Sequence, residues 1–244
     1  MPTAHTPQEL LARARAALPE AADRTGDFDA VESLLTEALG LAEAGGDRRS
    51  QAAALDQLGV LRHFRAIDRP REEWSGIDHG PEQQCFERAL AIRRELGDSA
   101  GVAESLLHLG WVHQVLRNRP DVAVPLFREA LALAEPDGDP EVRSELHRHI
   151  GFHLALEERR PADALEHFRT SLDLRRAGGE PARVVFGLVA LAYCESHAGR
   201  HEDALAHSQE ALDLARRGGF RQRVLGGAEA ARRDVEEAAA AAAR

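Results

Sequence analysis

Apolar residues along this chain recur at three- and four-residue steps. Phe86, Ala89 and Leu90 form one such set; Phe127, Ala130 and Leu131, then Phe168, Ser171 and Leu172, form two more. Shorter relatives stand at Leu35, Ala38 and Leu39 and at Ser208, Ala211 and Leu212. That spacing puts each set on one face of a helix. Polar and glycine-rich breaks follow each set: Gly45-Gly46-Asp47, Gly97-Asp98, Pro136-Asp-Gly-Asp139, Gly178-Gly179-Glu180 and Gly218-Gly219. These stop helices. Pro140 and Pro181 suit a first helical position, where a missing amide hydrogen costs nothing, and Asp139 suits the cap before it. Asn118-Arg-Pro120, Arg160-Pro161 and Gly199-Arg200 divide each unit in two. The pattern predicts helix pairs, A then B, used repeatedly.

The Ala/Ser positions of successive units are separated by 51, 41, 41 and 40 residues. A period of that size marks a helical solenoid, whose units bury their apolar faces by stacking. A second pattern has the same period. Glu104-Ser-Leu-Leu-His108-Leu-Gly110-Trp111 and Glu145-Leu-His-Arg-His149-Ile-Gly151-Phe152 lie 41 residues apart. Gly59, Gly110 and Gly151 are isolated glycines in helical text, each costing about 1 kcal/mol against Ala. Their placement predicts close contact between helices A and B, with Phe86, Phe127 and Phe168 filling the gap beside them.

Leu58-Gly59, Leu109-Gly110, Ile150-Gly151, Tyr193, the Ala/Ser series and the phenylalanines before it together resemble the tetratricopeptide repeat family, in its long-repeat subclass of roughly 40 to 42 residues per unit. The resemblance covers roughly residues 7 to 218. The first unit is degenerate in helix A, and Leu191 stands where other units have Gly. The resemblance implies an all-α, right-handed superhelical α-solenoid of antiparallel helix pairs. It implies one array over residues 1–244, with repeats at 7–45, 48–97, 100–137, 141–178 and 181–218 and a capping helix at 220–240. Beyond Glu237 the final alanines are expected to fray. The second repeat carries an inserted loop at 65–81, where Trp74 and Ile77 need somewhere to pack: on their own repeat, or as a lid over the groove.

Composition narrows the function. Thirty-one basic and 41 acidic side chains give a formal charge of −10, which disfavours nucleic acid and anionic membrane. No apolar run is long enough for a membrane span. The two cysteines, Cys85 and Cys194, form no disulfide or zinc framework. With no signal-peptide pattern at the start, a soluble cytoplasmic protein is expected. The paired arginines Arg48-Arg49, Arg93-Arg94, Arg175-Arg176 and Arg216-Arg217 are expected at helix C-termini, where they complement the helix dipole.

The resemblance also implies a ligand site on the concave side, lined by the A helices. Aligned on the glycines, its positions include Asp56, His63, Trp111, Gln114, Arg148, Phe152 and Glu195. That lining lacks the Lys/Asn/Arg set with which chaperone-binding members of the family clamp a carboxyl terminus. A peptide or protein partner with apolar anchors and basic or hydrogen-bonding groups suits it, and a homodimer is permitted.

The leading expectation is therefore a noncatalytic binding scaffold without a cofactor. The alternative rests on Glu104, His108, Glu145 and His149. Residues four apart share a helix face. If adjacent A helices bring both pairs together, two carboxylates and two imidazoles suit a divalent transition metal, or general acid–base work on a small substrate. The plainer reading of the same four residues is ordinary polar groove lining.

Overall fold

The computed structural model describes residues 5–135 and 137–244; residues 1–4 and Pro136, which opens one expected turn, lie outside them. Among the described residues there is no strand. The helices belong to two compact units, residues 1–133 and 134–244.

In the first unit, α1 (Pro7–Glu20) packs on α2 (Asp29–Gly45), and α3 (Arg48–Ile67) on α4 (Gly80–Glu95). Then come α5 (Ser99–Trp111), extended by a wider π turn over Val112–Leu116, and α6 (Pro120–Ala134). Helix α3 also touches α1 and α5. In the second unit, α7 (Pro140–Leu156) packs on α8 (Pro161–Gly178) and α9 (Pro181–His197) on α10 (His201–Gly218). Helix α7 touches α9, so the A helices of the unit are neighbours. Helix α11 (Gln222–Ala242) lies on α9 and α10 and buries Val224, Ala228 and Val235 against them. Its terminal alanines are exposed but helical through Ala242, where fraying was expected.

The predicted cap at Asp139 is in place, and two aspartates of the expected breaks also serve as caps. Asp139 accepts from the Glu141 amide at 2.7 Å, and Asp47 and Asp98 accept from Ser50 and Gly101 in the same way. Gly179 ends α8 with φ +76°, a conformation that a side chain would strain.

The glycine–phenylalanine pairs organise the helix pairs. A methyl group at Gly59 would overlap the Phe86 ring, and one at Gly110 the Phe127 ring. At Gly151 it would lie 3.0 Å from Phe168. All three rings are buried. Each A helix is notched so that a B-helix aromatic can enter. The α9–α10 pair inverts the sizes: Leu191 stands at the glycine position and Ser208 at the phenylalanine position, both buried. The unit that departs from the pattern thus changes both positions.

The insert after α3 forms a single 3-10 turn, Arg71–Gly76. Trp74 donates its indole N–H to the Arg69 carbonyl at 2.9 Å, and His79 Nε2 is 3.1 Å from the Trp74 carbonyl. The segment closes onto the end of α3. Among the described residues, no helix is long and apolar enough to cross a membrane.

Candidate functional site

In the first unit, Asp56 of α3 is 1 % exposed and would be costly to bury alone. Three groups surround its carboxylate. His108 Nδ1 of α5 lies 2.8 Å from Oδ2; Ser105 donates at 2.9 Å and Arg93 of α4 stands 3.0 Å away at Oδ1. Arg93 also donates to the Gly101 carbonyl at 3.0 Å and to Glu104 at 2.5 Å. Gly101 leaves room for that arginine, since a Cβ there would meet Arg93 Cδ at 2.7 Å. Burial pushes Asp56 up, but His108 and Arg93 outweigh it and hold the carboxyl at about 2. Burial likewise pushes His108 down, and Asp56 reverses it, leaving the imidazole above its ordinary value.

Rings pack against this network. Trp111 lies between His108 and His63, with centroids 4.6 and 5.2 Å away, and Phe86 stands 5.2 Å from His108. His63 Nδ1 is 2.8 Å from Glu82 of α4, both buried.

The second unit repeats the logic with different residues. Glu145 of α7 receives Arg175 of α8 at 2.5 Å and Arg148 at 3.1 Å, with Arg183 of α9 at 3.5 Å. Arg175 donates to the Arg183 carbonyl, eight residues on, as Arg93 does to Gly101. Burial pushes Glu145 up, yet Arg175, Arg148 and Arg183 bring it well below the usual carboxylate range. Burial lowers Arg175 to about 10, so it keeps its charge at neutral pH. His149 Nε2 lies 2.9 Å from an Arg148 N–H. An arginine can only donate, so this nitrogen accepts and its lone pair is used. On α9, Glu195 is buried against His207 Nδ1 at 2.7 Å.

Several expected site residues therefore sit inside the helix layers. Asp56, His63, His108, Trp111, Glu145, His149 and Glu195 are buried, where groove lining was expected to offer them to a ligand. Gln114, Arg148 and Phe152 remain partly exposed, as do Glu104, Trp74 and Ile77. The expected Glu/His quartet is not assembled as one donor set: Glu104 is paired with Arg93, His108 with Asp56, and Glu145 and His149 with arginines. Among the described residues, no group of three or more His, Cys, Asp or Glu is placed to hold a metal ion. Guanidinium groups already on these carboxylates oppose a second cation.

The residues that sequence reasoning missed are Arg93 and Arg175. Each looked like half of a helix-end arginine pair. The second arginine of each pair behaves that way, with Arg94 and Arg176 reaching exposed Glu129 and Glu210. The first is buried and anchors the network. The available signal was a helix-B arginine eight residues before a helix-A position, beside a small residue, Gly101 or Gly187.

A solenoid of antiparallel helix pairs with polar clasps between neighbouring helices is the class that these features define. Residues 83–135, from α4 to α6, match the family model of the tetratricopeptide repeat. No curated protein matches the sequence. Among solved structures, the chain is similar to the nearly identical TPR-like repeats of a Podosopora anserina protein described as a kinesin light chain, at 15 % identity and a TM-score of 0.50, covering 87 % of this chain and 96 % of that one. That likeness is one of fold. Residues 83–135 thus match the tetratricopeptide repeat, and the chain has a TPR-like α-solenoid fold.

Proposed function

We propose that this chain is a noncatalytic binding scaffold that takes a peptide or protein partner on the helix-A face of its repeats. The observation that carries this reading is a row of partly exposed rings in the second unit. Phe152 of α7 lies 6.4 Å from Tyr193 of α9, and Tyr193 lies 4.2 Å from His197, centroid to centroid. Arg148 flanks the row, its guanidinium carbon 5.6 Å from the Phe152 centroid. Phe152 is also held edge-on against buried Phe168 at 5.0 Å. Rings fixed in this way lose little freedom on binding, and they suit apolar or aromatic anchors of a partner segment. Glu145 is already neutralised by arginine and Glu195 is held by His207, so the row offers apolar edge and hydrogen-bonding capacity. Repeat proteins of this family generally bind other proteins, which supports the same reading.

The test is to screen the full chain against a peptide library and measure the best binder by titration. Phe152→Ala and Tyr193→Ala should each weaken it about tenfold or more, as truncating a hot-spot anchor does. The helical circular dichroism should be unchanged. Undiminished affinity in both variants would place the partner elsewhere.

A further inference from the structure

We infer that the cleft between the C-terminal turn of α3 and the inserted segment binds a small organic carboxylate. The cleft measures about 180 Å³. A cavity of roughly 150 Å³ accommodates benzene, so the space suits one ring or a short chain bearing an acid group. Ala66, Ile77 and Pro81 give it an apolar wall. Arg62 and Arg65 line it from the last turns of α3, and Arg69 from just beyond the end of that helix.

The charges at the cleft are unevenly compensated. Arg65 is a bystander, paired with Asp29 and Glu32 at 2.6 Å. Arg62 is half-buried, and its hydrogen bonds go to the Pro81 carbonyl at 3.2 Å and the Cys85 sulfur at 2.8 Å. Both acceptors are neutral, since burial pushes the Cys85 thiol up. Arg69 has no carboxylate partner among the described residues. Arg62 and Arg69 thus face one cleft with no carboxylate ion-paired to either among the described residues, in a chain whose formal charge is −10. Two acidic side chains also line the cleft, each with a partner of its own: Glu82 with His63 at 2.8 Å, and Asp78 Oδ1 with the Gly80 amide at 2.8 Å.

A buried polar atom supplies an independent sign of a ligand. His79 is 7 % exposed and lines the cleft. Its Nδ1 is buried without a hydrogen-bond partner and faces Glu82 Oε2 at 3.7 Å, beyond hydrogen-bond distance. A carboxylate held in the Arg62 and Arg69 forks would bring an oxygen into this polar end, with its body against Ile77.

Calorimetric titration of the full chain with benzoate, acetate, benzamide and inorganic phosphate tests the assignment. Benzoate should bind saturably at one site. Acetate, which lacks the apolar body, and benzamide, which lacks the charge, should each bind at least about tenfold more weakly. Arg62→Gln and Arg69→Gln should each weaken benzoate about tenfold, with thermal unfolding run alongside. Arg69 is exposed, so its variant tests the site even where Arg62→Gln fails to fold. No saturable benzoate binding, equal binding of phosphate, or undiminished binding in Arg69→Gln would overturn the inference.

Discussion

Asp56 of α3 and His108 of α5 meet as carboxylate and imidazole, Oδ2 to Nδ1 at 2.8 Å, with Arg93 of the intervening α4 on the other oxygen. One buried side chain thereby ties three successive helices together.

This clasp sets a pH window. A raised histidine pKa contributes stability that is complete below the unfolded value, near 6.5, and lost as pH rises through the folded one. A lowered aspartate pKa contributes stability that is complete above 3.8 and lost as pH falls toward 2. Urea unfolding should therefore show greatest stability between about pH 4 and 6.5 and a fall on either side. His207, raised by its hydrogen bond to Glu195, tilts the alkaline side in the same direction. The informative quantity is the difference between parent and His108→Gln. An alkaline slope that is identical in both would remove His108 from the account.

The second-unit clasp should respond as a buried ion pair. Glu145→Ala leaves Arg175 buried without its closest carboxylate, and a loss of about 3–5 kcal/mol is expected. The double variant Glu145→Leu/Arg175→Met should lose less than the sum of its single variants. A double-mutant cycle in urea measures this, and additive losses would show that the two groups are not coupled.

The ring notches predict graded costs. Gly110→Ala forces a methyl into Phe127 and should destabilise by about 1–3 kcal/mol, despite a helix-propensity gain of about 1 kcal/mol. Gly151→Ala has more room and should be milder. Phe127→Leu should partly rescue Gly110→Ala. Melting temperatures of the four variants decide the order, and a stabilised Gly110→Ala would refute the tight contact.

Trp74 fastens the insert through one hydrogen bond to Arg69. Trp74→Phe keeps a ring and removes the donor, so it should cost about 1 kcal/mol. Faster proteolysis within residues 68–79, with the remainder intact, would show the fastening directly. An unchanged cleavage rate would mean that the insert is held by other contacts.

Carboxylates occupied by arginine should not attract cations. Titration with Zn²⁺ or Mn²⁺ should leave the melting temperature of the parent and of His108→Ala/His149→Ala equally unmoved. Stabilisation of the parent alone by about one equivalent would revive a metal role for the Glu/His residues.

Much of the fold was legible in the chain because its signals are local. Asp139 before Pro140 caps a helix by its own chemistry, and a glycine such as Gly179 ends one through its backbone freedom. The Gly110–Phe127 contact was readable because the same pair recurs one period later as Gly151–Phe168. The candidate site was less legible. His108 and His149 occupy equivalent places in the repeat, yet one serves an aspartate and the other accepts from an arginine. Their partners, Asp56 and Arg148, are themselves equivalent positions with opposite charge.

Periodicity, caps and breakers determined the helices and their pairing, because those preferences act over a turn or two of backbone. Which polar side chains face solvent was decided only by packing. Arg93 and Arg175 come from the B helices, at separations from Asp56 and Glu145 that differ between the two units, and cover acids that would otherwise line an open face. Burying a charge requires a partner, and only the folded chain brings that partner within reach.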